Sequence, residues 1–320
     1  MKKNKIKDTG LEVTELSFGT SSLGSMPDTY GYEVPEQRAQ ETLKRFFQGP
    51  VNMLDTSRNY AMGESEKRIG IAIKENGGWP ENFILSTKID RNMETLVLDK
   101  KRTRESIEES LKTLNVDSVD ILFLHDPEYV KDVNDVTKKD GALDELFKIK
   151  EEGLAKAVGL AMGKINIMFP ILKNWDFDVI INHNRYTLLN READEMYSYA
   201  HSKNISIFNA APYAGGVLAK GPSNFKKITY QDVTEEKLAP AREIEKVCKK
   251  YNVEMGAAAL QFSMKDKRIT STLCGVTSVQ SIEKNLSWAQ TSIPEKFWSE
   301  LLKLPFSTKD PESERIFTPG

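Results

Sequence analysis

The sequence predicts an α/β fold, a single-domain (β/α)8 TIM barrel with its active site at the carboxyl ends of the strands. Three observations predict it. Eight short β-rich runs alternate with helix-like segments almost to the end of the chain. Most of these runs are continuously apolar, as strands are when both faces of a parallel sheet are covered. No G-x-G-x-x-G occurs anywhere, whereas a doubly wound open sheet usually carries a glycine-rich phosphate loop after its first strand.

The strand-like runs are 16–20, 52–56, 83–89, 119–125, 155–160, 179–182, 205–210 and 271–276. Segment 35–47 opens on a proline, which a first helical turn accepts. Segment 65–75 begins with Ser65 as an N-cap and ends at Gly77-Gly78. In 103–114, Ile107, Leu111 and Leu114 recur at i, i+4 and i+7, which is one helix face. Segment 143–152 stops at Gly153, a residue suited to the position after a helix. Further helices are expected at 192–202, 235–251 and 279–288. Residues 1–304 read as the barrel and 305–320 as a loosely held tail rich in Pro, Ser and charge. The insertions 126–140 and 212–233 follow the fourth and seventh strands, which places them at the catalytic face.

Composition narrows the function. Of 320 residues, 39% are hydrophobic and 29% charged, and 45 Lys plus Arg against 47 Asp plus Glu give a net charge of −2. That argues against a strongly basic nucleic-acid binder. No apolar run approaches the roughly 18 residues of a membrane span. The first ten residues are polar and basic, with no apolar stretch behind them to make a signal peptide. A cytoplasmic protein, monomer or homo-oligomer, is expected. Cys248 and Cys274 make neither a disulfide framework nor a Cys-based metal cluster. His125, His183 and His201 lack metal-ligand spacing, and no G-x-S-x-G elbow is present.

The chemistry is expected where the strand-like runs end. The second is followed by Asp55-Thr56-Ser57-Arg58-Asn59-Tyr60, the third ends at Lys88 and the fourth at His125-Asp126. Adjacent parallel strands bring an Asp, a Tyr, a Lys and a His to one mouth. A phenol, with its ordinary pKa of about 10, needs help to exchange protons near neutrality. A neighbouring ammonium supplies that help by favouring the phenolate. The set therefore reads as Tyr60 the general acid/base, Lys88 its tuner, Asp55 the anchor of Lys88, and His125 the orienter of a carbonyl or alcohol.

These residues resemble those of the aldo-keto reductases over nearly the whole chain. The family's Asp-Thr-x-x-x-Tyr-Gly-x-Gly-Glu-x-x-x-Gly segment is similar to the stretch from Asp55 through Tyr60-Ala61-Met62-Gly63-Glu64 to Gly70. Residues 106–125 resemble its long helix and the strand ending in the catalytic His. Within the family, Arg185-Tyr186-Thr187-Leu188-Leu189 and His125-Asp126 resemble the branch of aldose and pyridoxal dehydrogenases, and Asn209-Ala210-Ala211-Pro212 the galactose dehydrogenases. The resemblance implies that Asp55, Tyr60, Lys88 and His125 form the catalytic tetrad. It also implies a nicotinamide cofactor across the barrel mouth, exchanging hydride with the substrate while the protein supplies placement and the proton.

The cofactor-binding positions implied are Gly19, Thr20, Asp55, His183, Asn209, Pro212, Tyr213, Gly215, Gly216, Leu218 and Asn285. Departures from the family pattern stand beside them. Ala161-Met162 replaces the usual Ser-Asn pair, His183 the usual Gln, and Ala210 the stacking Tyr. Gly275, Thr277 and Ser278 lead into the helix at 279, whose N-terminus is an anion site by its free N–H groups. Relatives that prefer NADP place a Lys and an Arg where Gly275 and Ser281 stand, so NAD is the expected cofactor, with NADP the alternative. Lys284 lies one turn further along.

The mouth is expected to be lined by short polar side chains rather than aromatics, with Asp126, Arg58 and Glu128 binding substrate and Asn59 and Ser57 near them. Such groups suit a polyhydroxylated substrate. The reading is oxidation of an aldose at C1 to the lactone. One alternative is an NADPH-linked reductase of small aldehydes such as pyridoxal. Another is a cofactor-sensing regulatory subunit with little turnover.

Overall fold

The computed structural model describes residues 1–315. Eight parallel strands close into a barrel: β1 Leu16–Gly19, β2 Met53–Asp55, β3 Ile84–Ile89, β4 Val119–His125, β5 Ala155–Met162, β6 Val179–His183, β7 Ser206–Ala210 and β8 Ser271–Gly275. Each pairs with its sequence neighbour, and β8 closes on β1 through Thr272↔Leu16 to Gly275↔Gly19. A hairpin of Lys3–Lys5 and Glu12–Thr14 precedes β1.

The helices around the barrel are α1 Glu36–Phe47, α2 Glu64–Glu75, α3 Lys100–Leu114, α4 Ala142–Glu151, α5 Ile165–Asn174, α6 Asp194–Ser202, α7 Glu235–Lys250, α8 Met255–Met264, α9 Val279–Gln290 and α10 Glu295–Leu301. Three of them, α5, α8 and α10, lie where the sequence reading names none. Helix α5 carries Pro170 inside it, and a proline normally marks a helix boundary. Helix α8 is buried at seven of its ten positions, so it lacks the polar face that reveals a helix by its period. Ser65 is not the N-cap of α2. Gly63 holds that place at φ 95, while the Ser65 hydroxyl bonds the Thr20 carbonyl and hydroxyl at 3.0 and 2.9 Å.

The core has two parts. Inside the barrel Met53, Ile121, Phe123, Ile181, Phe208 and Leu273 fill the lumen. Outside it Phe18, Phe46, Leu122, Val158 and Ile180 pack the sheet against the helices. With its lower lumen filled by side chains, a barrel offers a ligand only the carboxyl end. No helix among the described residues is long and apolar enough to cross a membrane.

The tail departs from the expectation that it is loosely held. Asn190 donates to the Lys309 carbonyl at 2.8 Å, and Thr229 and Gln231 donate to that of Pro311, each at 3.0 Å. Arg185, 1% exposed, pairs with Asp310 at 2.5 Å and with Glu312 at 2.7 Å. A polar tail is held here by buried charge pairing. Of the 305–320 segment, residues 316–320 lie outside the described residues.

Candidate active site

Strand alternation and register set the site. Asp55 stands beside Ser86 of β3 in register, and Lys88 is two residues further along the same face. The Lys88 ammonium donates to the Asp55 carboxylate at 2.5 Å and to the Thr56 carbonyl at 2.6 Å. Ser86 donates to the other Asp55 oxygen at 2.8 Å. Lys88 Nζ lies 4.6 Å from the centre of the Tyr60 ring. The Tyr60 ring meets the His125 imidazole edge-on, with centroids 5.8 Å apart.

Tyr60 is carried by a strained turn. Ala61 and Met62 follow it at φ 51 and 55, then Gly63 at φ 95. The left-handed region costs a non-glycine residue roughly 1–2 kcal/mol, and such strain concentrates at functional sites. Burial pushes the Tyr60 phenol well above its ordinary pKa, and the charges of Asp55, Asp126 and Asp90 push the same way. The phenol is thus held protonated, and the neighbouring Lys88 does not reverse that.

His125 is tied down by Asp90, a residue the sequence reading passed over. Its Nδ1 lies 2.6 Å from Asp90 Oδ1. The other Asp90 oxygen accepts from the Ser57 hydroxyl at 2.5 Å and the Asn59 amide at 2.9 Å. His125 Nε2 lies 3.6 Å from Asp126 Oδ2. Burial disfavours the imidazolium, but the Asp126 and Asp90 carboxylates outweigh it and raise the His125 pKa. Burial likewise opposes the Asp90 carboxylate, yet His125 and the Ser57 hydroxyl keep its pKa below the usual value. The signal for Asp90 was available: it is two residues beyond Lys88, on the same face by strand alternation.

Asp55, Tyr60, Lys88 and His125 all line one cavity of about 450 Å³ at the carboxyl end of the barrel. Asp126 and Asn59 line it too, and Asp126 Oδ1 and Asn59 Oδ1 are buried oxygens without a hydrogen-bond partner among the described residues. Arg58 and Glu128 do not reach the lining. Arg58 turns outward to pair with Glu109 of α3 at 3.0 Å. Glu128 accepts from the Gly163 and Lys164 amides at 2.9 and 3.3 Å. The expectation of a mouth without large aromatics is also corrected. Tyr30, Tyr129, Phe225, Tyr230 and Trp288 line the cavity with Arg315 of the tail. These rings come from segments far apart in the chain, Trp288 from α9 and the others from the connections after β1, β4 and β7, so no local run announces them. A second, polar depression of about 330 Å³, lined by Asn4, Glu15 and Thr270, lies at the opposite end and holds none of the four.

The implied nicotinamide cofactor fits one side of this cavity. Gly19 and Gly275, paired between β1 and β8, line it. Among the described residues, a β-carbon on either meets no neighbour closer than 3.8 Å, so a side chain there would fill the cavity rather than the packed wall. His183, Tyr213, Gly215, Gly216, Thr277, Ser281 and Asn285 line the same cavity. Gly215, at φ 76, passes so close to Thr229 and Tyr230 that a β-carbon would fall within 3 Å of their amides.

Several expected cofactor residues have partners within the protein. Asn209 is fully buried and bonds Tyr197, Tyr186 and Ser263. Thr20 donates to the Asp55 carbonyl at 2.9 Å. Pro212 is buried off the cavity, and Leu218 packs in the apolar cluster beneath α7. Ser278 caps α9, while the Ser281 hydroxyl takes the Thr277 and Ser278 amides at 2.9 and 3.0 Å. Asn285 is engaged by Tyr213 at 2.5 Å. Lys284 lines the cavity but pairs with Glu254 at 2.6 Å.

Residues 15–304 match the model of the aldo/keto reductase family. Over 292 residues the chain is 31% identical to L-galactose dehydrogenase of Arabidopsis thaliana, covering 88% of this chain and 85% of that one. It is 25% identical to pyridoxal 4-dehydrogenase of Microbacterium luteolum, covering 93% and 96%. Among solved structures, an aldo-keto reductase from Bacillus halodurans superposes with a TM-score of 0.80 at 21% identity, covering 99% of this chain and 100% of that one.

Proposed function

We propose, since this chain belongs to the aldo/keto reductase family, that it is a nicotinamide-dependent oxidoreductase acting on a polyhydroxylated substrate. The preferred reaction is oxidation of an aldose at C1 to its lactone with NAD. One observation carries the reading: Tyr60, Lys88 and His125 line a single cavity together with the polar side chains of Asp126 and Asn59. Fixed polar groups in the wall favour a ligand rich in hydroxyl groups, because an analogue lacking them leaves those groups unpaired. Aromatic walls with a few fixed polar groups are the usual build of a small-molecule site. The curated relatives named for sugar and pyridoxal oxidation support the same class.

When bound, the nicotinamide accepts or supplies the hydride. The remaining work falls to the chain. In its ionised form Tyr60 takes the proton of the C1 hydroxyl during oxidation, and as the phenol it gives a proton to the carbonyl oxygen in the reverse direction. Lys88, fixed by Asp55, steadies the phenolate that forms. His125 Nε2 donates to the reacting oxygen and fixes its position. NAD is favoured over NADP because neither Gly275 nor Ser281 supplies a cation and Lys284 is already paired.

A second reading, reduction of small aldehydes such as pyridoxal, draws on a different observation. The Tyr60 phenol is held protonated, which suits a proton donor, and the aromatic rings of the cavity suit a planar substrate. The test is a panel of aldoses with NAD or NADP against aromatic aldehydes with the reduced cofactors, followed by absorbance of the reduced nicotinamide. Turnover of an aldose, lost in Tyr60→Phe, supports the preferred reading. Turnover of aldehydes alone would replace it with the second.

A further inference from the structure

We propose that Asp90 is a positioning residue which, with one carboxylate, fixes both partners of proton exchange: the imidazole of His125 and the turn that presents Tyr60. The inference deepens the proposed function and rests on it for the identity of the reaction.

The geometry is unusually complete. Asp90 is 1% exposed and every contact described at its carboxylate is a donor. His125 Nδ1 occupies Oδ1 at 2.6 Å, so the Nδ1 proton points at Asp90. That leaves Nε2 facing the cavity, 3.6 Å from Asp126 Oδ2. A neutral ring in this orientation would turn its lone pair toward a carboxylate. A doubly protonated ring instead offers Nε2–H both to Asp126 and to a substrate oxygen. Oδ2 meanwhile holds the Ser57 hydroxyl at 2.5 Å and the Asn59 amide at 2.9 Å. Asn59 immediately precedes Tyr60, so the strained turn is tied to the strand that bears Lys88. The groups facing His125 are Asp90 and Lys88 from β3, Asp126 after β4 and Tyr60 after β2. Its register neighbour on β5, Ala161, has no titratable group.

An amide cannot replace this carboxylate. If Asn at position 90 turned its NH2 toward His125, the ring would have to give up the Nδ1 proton. If it turned its NH2 the other way, two donors would confront each other at the Asn59 amide. Either arrangement breaks one arm of the clamp, which an unspecific packing role would not predict.

The test reads His125 first, without substrate. NMR titration of the three imidazoles, assigned with His125→Gln, is expected to show His125 titrating above the ordinary range in the intact protein. A deshielded Nδ1 proton should be visible on both sides of that transition and move upfield as Nε2 loses its proton. In Asp90→Asn the titration should move down. In the substrate assay kcat should fall roughly 10²-fold with KM little changed, while circular dichroism keeps the folded signature. If Asp90→Asn does not fold, the Nδ1 proton of the unmutated protein decides. An unshifted His125 in the variant, kcat within threefold of the parent, or a missing Nδ1 signal would overturn the proposal. If no sugar or aldehyde is turned over, the function above fails, while the titration still judges Asp90.

Discussion

The ammonium of Lys88 stands 4.6 Å from the ring centre of Tyr60, with its donors directed at Asp55 and Thr56 on the other side. The cation is therefore held by its own buried partners, and in the proposed mechanism it acts on the phenol through space. Tyr60→Phe is expected to lower kcat by about 10²–10⁴-fold with KM nearly constant. Lys88→Met should do the same, and should also destabilise the fold by about 3–5 kcal/mol by leaving Asp55 buried and unpaired. Steady-state kinetics with thermal melts separates the two effects.

The raised pKa of Tyr60 fixes the sign of the pH dependence. Oxidation needs the phenolate, so its rate should climb with pH through the neutral and alkaline range. Reduction needs the phenol, so its rate should stay level there and fall only above the ordinary tyrosine range. Rate profiles in both directions, with either cofactor saturating, check this. A falling oxidation rate between pH 7 and about 9 would count against Tyr60 as the base.

Ala61 at φ 51 occupies a backbone region that glycine enters without penalty. Ala61→Gly should relieve the turn and stabilise the protein by about 0.5–1 kcal/mol, after the extra freedom of glycine in the unfolded chain is deducted. Chemical denaturation measures it. A loss of stability would mean that the methyl group packed against Gly24 matters more than the strain.

Gly275 has open space at its β-carbon, with the Ser22 hydroxyl at 3.8 Å as nearest neighbour. Gly275→Lys should fit without distortion and place a cation beside the start of α9. The expected result is about a tenfold gain in NADP(H) over NAD(H) affinity, or about 1.4 kcal/mol. Fluorescence titration with both cofactors checks it, and an unchanged ratio would place the distinguishing phosphate elsewhere.

Glu312 anchors the tail. Burial opposes its charge, but His183, Arg185 and Arg315 outweigh that and hold its pKa far below the usual carboxylate range. A depressed folded-state value means stability that is present above the unfolded value, near 4.3, and lost as pH falls below it. The tail should loosen in acid before the barrel melts, as read by limited proteolysis. Arg185→Ala removes the shared partner of Glu192, Asp310 and Glu312 and should cost about 3 kcal/mol or more, seen as a lower melting temperature.

The barrel was legible because apolar runs of strand length are a direct consequence of burial on two faces. The four convergent residues were legible because parallel strands bring their carboxyl ends together whatever the details of packing. Other positions were read too literally from sequence proximity. Arg58 and Glu128 sit beside Tyr60 and His125 in the chain, yet one side chain finds Glu109 and the other finds the amides after β5. The aromatic wall was hidden because Tyr30, Tyr129 and Tyr230 come from three distant loops. The tail was hidden because its polar composition gives no hint of a buried Arg185 waiting for it.

Residues 55–126, on three adjacent strands, hold every group assigned to proton exchange, whereas the segments after β7 and β8 and the tail build much of the remaining wall. The molecule thus gathers its proton chemistry, with Asp126 and Asn59 beside it, on one side of the mouth and leaves much of the outer wall to other segments. Evolution, or a protein engineer grafting new loops from a homologue, has latitude to exchange what is bound without re-tuning how protons move.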